Sequence, residues 1–321
     1  MNEYLSQIIK KQTGATDCSY KEKIQDLWSG YGEIYRVELH NAPLRYIIVK
    51  HIRLKDSNIG KISKADTISH QRKLRSYEVE INWYKNYSKL CNDNCIVADC
   101  IYFYKENNEI ILLLSDLHEA DYNKRIGCFD MNQIKACLKW LAAFHGLFMD
   151  TNPKDLWKTG TYWHLQTRKE EFQKIKDEKL KQIAPKLDLL LNSCKYKTIV
   201  HGDAKTSNFL YNPYKKTVAA FDFQYVGGGC GMKDIVYLFD CTMSPQECKA
   251  NETVLLKYYF EMLKDSLQKE ETKAHFTEIE TEWRNLYHIA WLDYYRFLKG
   301  WTSEQYAYNS YCETVLKNCT V

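Results

Sequence analysis

The chain has 321 residues, enough for about two domains or for two lobes around a cleft. Its 45 Lys and Arg against 41 Asp and Glu leave a net charge of +4, too even a balance for an electrostatic nucleic-acid binder. An aromatic content of 14% with only 5 Pro and 13 Gly excludes the disordered and fibrous classes.

In chain order, β-rich runs predict strands over Tyr31 to Leu39 and Leu44 to Leu54, with Asn41 and Pro43 in the turn between them. A basic, irregular stretch to about Arg72 follows. Leu74, Tyr77, Ile81 and Tyr84 then recur at helical steps and predict a helix over Leu74 to Leu90. Strands are expected at Ile96 to Tyr104 and Glu109 to Ser115, across the turn Glu106-Asn107-Asn108. Beyond Leu117 the pattern turns helical: Met131 to Met149, Gln166 to Asp177, Lys181 to Asn192, Thr253 to Gln268 and Ile279 to Lys299. Short strands interrupt it at Thr198 to Val200, Phe209 to Tyr211 and Val218 to Phe221. The fold class is therefore α+β, with a β-rich N-lobe over residues 1–117, a mostly helical C-lobe over residues 118–321 and a ligand cleft between them.

The longest purely aliphatic run, Ile110 to Leu114, is far short of the roughly 20 residues of a membrane span, and Met1 to Lys10 has no apolar signal core. A cytoplasmic protein is the expectation, its 12 cysteines reduced thiols. Cys91, Cys95 and Cys100 form the one cluster to weigh as metal ligands, and no fourth Cys or His follows at finger-like spacing.

The strongest chemical signal is His201-Gly202-Asp203-Ala204-Lys205-Thr206-Ser207-Asn208, followed after a hairpin by Asp222-Phe223-Gln224. An Asp and an Asn five positions apart on one loop can orient an acceptor hydroxyl and ligate magnesium respectively, as in kinases. Asp203 and Asn208 have that spacing. Asp222, at the end of the next hairpin, offers the second metal carboxylate, because Mg²⁺ takes few protein oxygens and fills its shell from phosphate and water.

The chain here resembles the kinase-like phosphotransferases of small molecules, the aminoglycoside phosphotransferase and choline kinase group. Asp-Phe-Gln in place of Asp-Phe-Gly looks most like its ecdysteroid-kinase-like branch, and Leu141-Ala142-Ala143-Phe144-His145 matches the family's Leu-Ala-x-x-His element. The resemblance implies a two-lobe protein-kinase-like fold using ATP and Mg²⁺. Asp203 is then the base and Lys205 steadies the transferred phosphate, with Asn208 and Asp222 at the metal. Gly30-Tyr31-Gly32 would be the glycine-rich turn over the phosphates, and Lys50 the lysine on the inner phosphates. Helical angle does not choose between Glu78 and Glu80 as the partner of Lys50; the resemblance favours Glu80, before Trp83-Tyr84. The run through Leu114 and Asp116 would be the hinge at the adenine.

Gly202 stands where many protein kinases carry a phosphate-receiving Arg, and no Ala-Pro-Glu follows Asp222, so phosphorylation-gated protein kinase activity is not expected. Gly227-Gly228-Gly229-Cys230-Gly231 is either a substrate-side loop or a tight connection into the helix of Asp234. On the last long helix, His288, Trp291 and Tyr295 form a second aromatic stripe, a candidate acceptor wall beside a core face. The expected partner is a small-molecule hydroxyl acceptor, with no nucleic acid and no protein partner in view. The competing readings are a non-catalytic kinase-like nucleotide-binding or scaffold protein and a protein kinase.

Overall fold

The structure, a computed structural model, describes residues 1–27, 30–54, 64–106, 108–127 and 129–319, with the backbone alone for 64–67, 304 and 306. Helix α1 (Glu3–Thr13) precedes a five-stranded antiparallel sheet of β1 (Asp17–Asp26), β2 (Gly32–His40), β3 (Tyr46–Arg53), β4 (Cys100–Glu106) and β5 (Glu109–Ser115), in the order β1-β2-β3-β5-β4. Alternate residues of a strand face opposite ways. Tyr35, Val37, Ile47, Val49, Ile111 and Leu113 form one apolar cluster with Leu5 and Ile9 of α1. Ile34, Ile48, Leu112 and Leu114 pack into the main core on the opposite face, and the register pairs Lys50 with Ile34 and Leu112 on that inner side. A one-residue slip would turn Lys50 away from the cleft.

Helix α2 (Lys64–Asn86) begins well before the expected Leu74. From Ile68 to Lys73 its residues are mostly polar and exposed or half-exposed, so no apolar stripe announced them. The expected irregular stretch lies partly at residues 55–63, outside the described residues, and from Lys64 onward it is helix. Trp83 of α2 stacks on Phe223 at 4.4 Å between ring centroids and meets Phe144 and Phe148, so α2 packs against both lobes.

The helical lobe contains α3 (Met131–Leu147), α4 (Lys169–Gln173), α5 (Glu178–Asn192), α6 (Met232–Thr242), α7 (Pro245–Ser266), α8 (Glu270–Ala274), α9 (Phe276–Trp301), α10 (Glu304–Ala307) and α11 (Ser310–Asn318). Small strands β6 (Lys124–Arg125), β7 (Thr198–Val200), β8 (Phe209–Asn212), β9 (Thr217–Ala220) and β10 (Gly227–Gly229) lie at its cleft side. The helix expected over Gln166 to Asp177 shrinks to a 3-10 turn and the short α4. Arg168 turns back there to donate to the Tyr162 carbonyl oxygen at 2.6 Å and to Glu171 at 3.1 Å.

Of the two readings of the glycine run, the tight connection is the one found. Gly227–Gly229 is a buried strand paired antiparallel with β7, and a Cβ on Gly227 would lie 2.1 Å from the Trp157 carbonyl oxygen. None of the described cysteines is in a disulfide, and no group of three or more His, Cys, Asp or Glu among the described residues is placed to hold a metal, so Cys91, Cys95 and Cys100 form no metal cluster. Among the described residues no helix is long and apolar enough to cross a membrane.

Gly32 has φ 138, and a Cβ there would lie 2.0 Å from the His51 carbonyl oxygen across the β2–β3 pair. Gly32→Ala should therefore lower the free energy of unfolding by about 2 kcal/mol or more, read from chemical denaturation.

Candidate active site

Both carboxylate oxygens of Glu80 meet Lys50 Nζ, at 2.8 and 2.7 Å, and Asp222 Oδ1 lies 3.3 Å from it. Glu78 points outward instead and binds Lys105 at 2.7 Å. Three distant segments thus converge on one ammonium: the inner face of β3, the buried side of α2 and the turn after β9. Burial alone would depress the Lys50 ammonium, and Glu80 with Asp222 overcomes that and holds it above its ordinary value. Asp222 has φ 66, a left-handed conformation that Asp tolerates better than most residues. Burial would raise its carboxyl, and Lys50, Lys73 and Lys205 together hold it below the usual range.

The loop after β7 is built around a buried carboxylate. Asp234, near the start of α6, accepts the backbone N–H of His201 at 2.7 Å and of Gly202 at 2.9 Å, with His145 Nε2 at 3.1 Å. Gly202 has φ 76, and a Cβ on it would lie 2.1 Å from the Tyr225 carbonyl oxygen, so backbone packing alone demands glycine here. The loop then presents Asp203. Asn208 Nδ2 donates to both the carbonyl oxygen and Oδ2 of Asp203, each at 2.9 Å, and Lys205 Nζ lies 3.2 Å from Oδ2. Burial pushes the Asp203 carboxyl up to about 7, against the pull of Lys205.

The donor set fits a hard cation. With its Nδ2 committed to Asp203, Asn208 keeps its amide oxygen free for a metal, and Asp222 adds carboxylate oxygens. Two protein side chains with oxygen donors, completed by phosphate and water, are what Mg²⁺ takes in nucleotide sites.

These groups line a cleft of about 1060 Å³ between the lobes. Ile34, Ile48, Ala98, Leu114, Leu210 and Phe221 supply an apolar slot at one end. Asp116 beside it is buried. Its carboxylate takes the Arg36 guanidinium and the His118 N–H, which leaves its backbone rather than its side chain for a base. Gly30 and Gly32 close the turn between β1 and β2, where the Gly30 N–H is spent on the Leu27 carbonyl oxygen at 3.1 Å. Tyr31 between them, not either glycine, lines the cleft, and its ring stacks on His70 of α2 at 5.7 Å.

At the other end stand Tyr162, Arg168, Tyr225, Tyr237 and Trp301, while His70, Arg72 and Lys73 of α2 line the wall between the two ends. The stripe of His288, Trp291 and Tyr295 is elsewhere. None of the three lines this cleft; Trp291 and Tyr295 are buried against α11, where Trp291 meets Tyr311 at 5.1 Å and the Tyr295 hydroxyl bonds Glu313. Trp291 and Tyr295 are therefore packing under α11, while His288 is exposed and away from this cleft. The cleft-facing part of α2 was missed at the sequence level, although His70, Lys73, Tyr77 and Glu80 follow one another at steps of three and four along one helical face.

A two-lobe α+β architecture with this cleft defines the class of kinase-like phosphotransferases of small molecules. The chain belongs to the ecdysteroid kinase-like family, whose family model matches residues 45–156 and 148–271. No curated protein matches the chain. Among solved structures it is similar to the microcompartment-associated aminopropanol kinase, at 11% identity over 98% of this chain and 94% of that one, with a TM-score of 0.52. It is also similar to the aminoglycoside-3'-phosphotransferase of type VIII, at 14% identity over 88% and 100% with a TM-score of 0.48. For the ethanolamine kinase of Plasmodium vivax the values are 13% identity over 94% and 82%, with a TM-score of 0.47. At 11% identity the likeness to the aminopropanol kinase is one of fold.

Asp234→Ala removes the acceptor of two buried N–H groups at once, each costing about 1–3 kcal/mol when left unsatisfied. Urea unfolding should show a loss of about 3 kcal/mol or more, with the midpoint falling and the slope unchanged.

Proposed function

We propose that the chain is an ATP- and Mg²⁺-dependent kinase that transfers the terminal phosphoryl group to a hydroxyl of a small organic molecule. The convergence of Asp203, Asn208, Asp222 and the Lys50–Glu80 pair on one cleft carries this reading. Asp203 accepts the proton of the acceptor hydroxyl as its oxygen bonds to phosphorus and the bond to the departing ADP oxygen breaks. Lys205, paired with Asp203, faces the group in transfer. Lys50, oriented by Glu80, binds the inner phosphates, while Leu114 and the Asp116 backbone border the adenine slot. Gly30 and Gly32 shape the turn that carries Tyr31 over the phosphates. Asn208 and Asp222 would hold Mg²⁺, whose chemistry there is to neutralise phosphate charge.

The acceptor end favours one class of compound. Among the described residues that line the cleft, every carboxylate already faces a cation: Glu22 and Asp116 face Arg36, Glu80 and Asp222 face Lys50, and Asp203 faces Lys205. No carboxylate is left over for an ammonium group, whereas aromatic rings and Arg72 are at hand. The acceptor is accordingly an uncharged or anionic alcohol with a flat apolar face rather than a polyamine compound, whose ammonium groups need carboxylate partners.

A screen of small alcohols for ATP- and protein-dependent gain of one phosphate, by mass spectrometry, should find acceptors among uncharged and anionic ring compounds. Acceptors drawn only from amines would sink this part of the reading. With an acceptor in hand, Asp203→Asn should cut turnover by roughly 10²-fold or more at little change in Mg·ATP affinity, whereas Asp222→Asn should also shift the magnesium dependence. Near-normal turnover of Asp203→Asn would leave the scaffold reading in its place. Trp301→Ala should raise the acceptor KM about fivefold or more with the KM for ATP unmoved, while Trp291→Ala should lower thermal stability and leave both constants near wild type.

A further inference from the structure

The inner cleft holds three ammonium groups, Lys50, Lys73 and Lys205, and three carboxylates, Glu80, Asp203 and Asp222. Their pairing is uneven. Lys50 takes Glu80 and Asp222, and Lys205 takes Asp203. Among the described residues no carboxylate lies within ion-pair distance of Lys73. Its Nζ donates to the neutral amide oxygen of Gln224 at 3.0 Å and sits 4.8 Å from the centroid of the Tyr77 ring. Burial presses this ammonium down to about 8, with Asp222 opposing the shift and Lys50 adding to it. The group therefore sits among the catalytic charges.

An ammonium has three donors and no acceptor. Gln224 occupies one donor of Lys73 and the Tyr77 face covers another side, so donor capacity remains toward the cleft. Gln224 is buried, and its Oε1 also lies 3.2 Å from Ser76 Oγ, whose hydroxyl donates chiefly to the Lys73 carbonyl oxygen at 2.7 Å. A glycine in that place would leave Lys73 without its resting acceptor. The third residue of Asp-Phe-Gln and the lysine on α2 thus form one device.

We propose that Lys73 is a third phosphate-binding lysine, contacting the terminal phosphoryl group of the nucleotide, with Gln224 holding it in position beforehand. This rests on the phosphotransferase reading above. Lys50 is already satisfied by two carboxylates and Lys205 by one, which leaves Lys73 as the cation with the most to gain from an incoming phosphate. The terminal group is the one addressed because Gln224, whose amide oxygen holds Lys73 Nζ at 3.0 Å, lies two residues along the chain from Asp222, the proposed metal ligand.

Calorimetric titration with Mg·ADP and with Mg·AMP-PNP, a non-hydrolysable ATP analogue, tests this on wild type, Lys73→Met and Lys73→Gln. The Gln variant keeps a donor for Gln224 and stands in should the Met variant fail to fold. Both variants should lose about tenfold or more in AMP-PNP affinity and keep ADP affinity within about twofold. No loss for either nucleotide, or an equal loss for both, overturns the assignment. An equal loss accompanied by a lower unfolding temperature in Lys73→Met alone makes the lysine a tether for Gln224 and overturns it as well. A wild type that binds neither nucleotide removes the phosphotransferase reading itself, and the role of Lys73 with it.

Discussion

The buried ammonium of Lys50 organises the structure around it. An isolated charge at that depth is prohibitive, and removing one partner of a buried pair typically costs about 3–5 kcal/mol. Lys50 therefore fixes where its two carboxylates stand. Glu80 can reach it only if α2 presents one face to the cleft, and Asp222 only if the turn after β9 adopts its left-handed conformation. The sheet register, the rotation of α2 and the course of the Asp-Phe-Gln segment answer to the same demand. Trp83 stacked on Phe223 supplies the apolar counterpart directly behind the pair.

A second buried charge plays the same part for the catalytic loop. Asp234 is held by two backbone N–H groups and by the His145 ring, so the loop's own backbone supplies part of what offsets its charge. Hydrogen bonds to charged acceptors are roughly twice as strong as neutral ones. Asp203 and Asn208 inherit that rigidity, and their mutual bonds set the direction in which each side chain points.

Much of this was legible in the sequence. The spacing of Asp203, Asn208 and Asp222 located the loop and the carboxylate after it, and β-rich runs between turn residues located β2, β3 and β5. Glu78 and Glu80 were inseparable by helical angle because the face of α2 is chosen by the buried lysine, a tertiary demand invisible to periodicity. β1 escaped notice because a mostly exposed edge strand of alternating charges carries no apolar pattern. The aromatic stripe on α9 misled for the opposite reason: the helix is covered on more than one side, and α11, which buries Trp291 and Tyr295, gave no signal of its own. Lys73 and Gln224 were unreadable singly, since neither residue type at its position implies the other.

The segment between Asp222 and α6 carries one more consequence. It spans residues 223–231, all buried but Tyr225, and three of its residues are spent as a strand against β7. Gln224 pins its start to α2 and Asp234 pins the loop it packs on. A stretch so short and so fastened has little slack to swing out. On the proposed reading, the assembled arrangement is the resting one, and this segment needs no separate ordering step before nucleotide and acceptor bind.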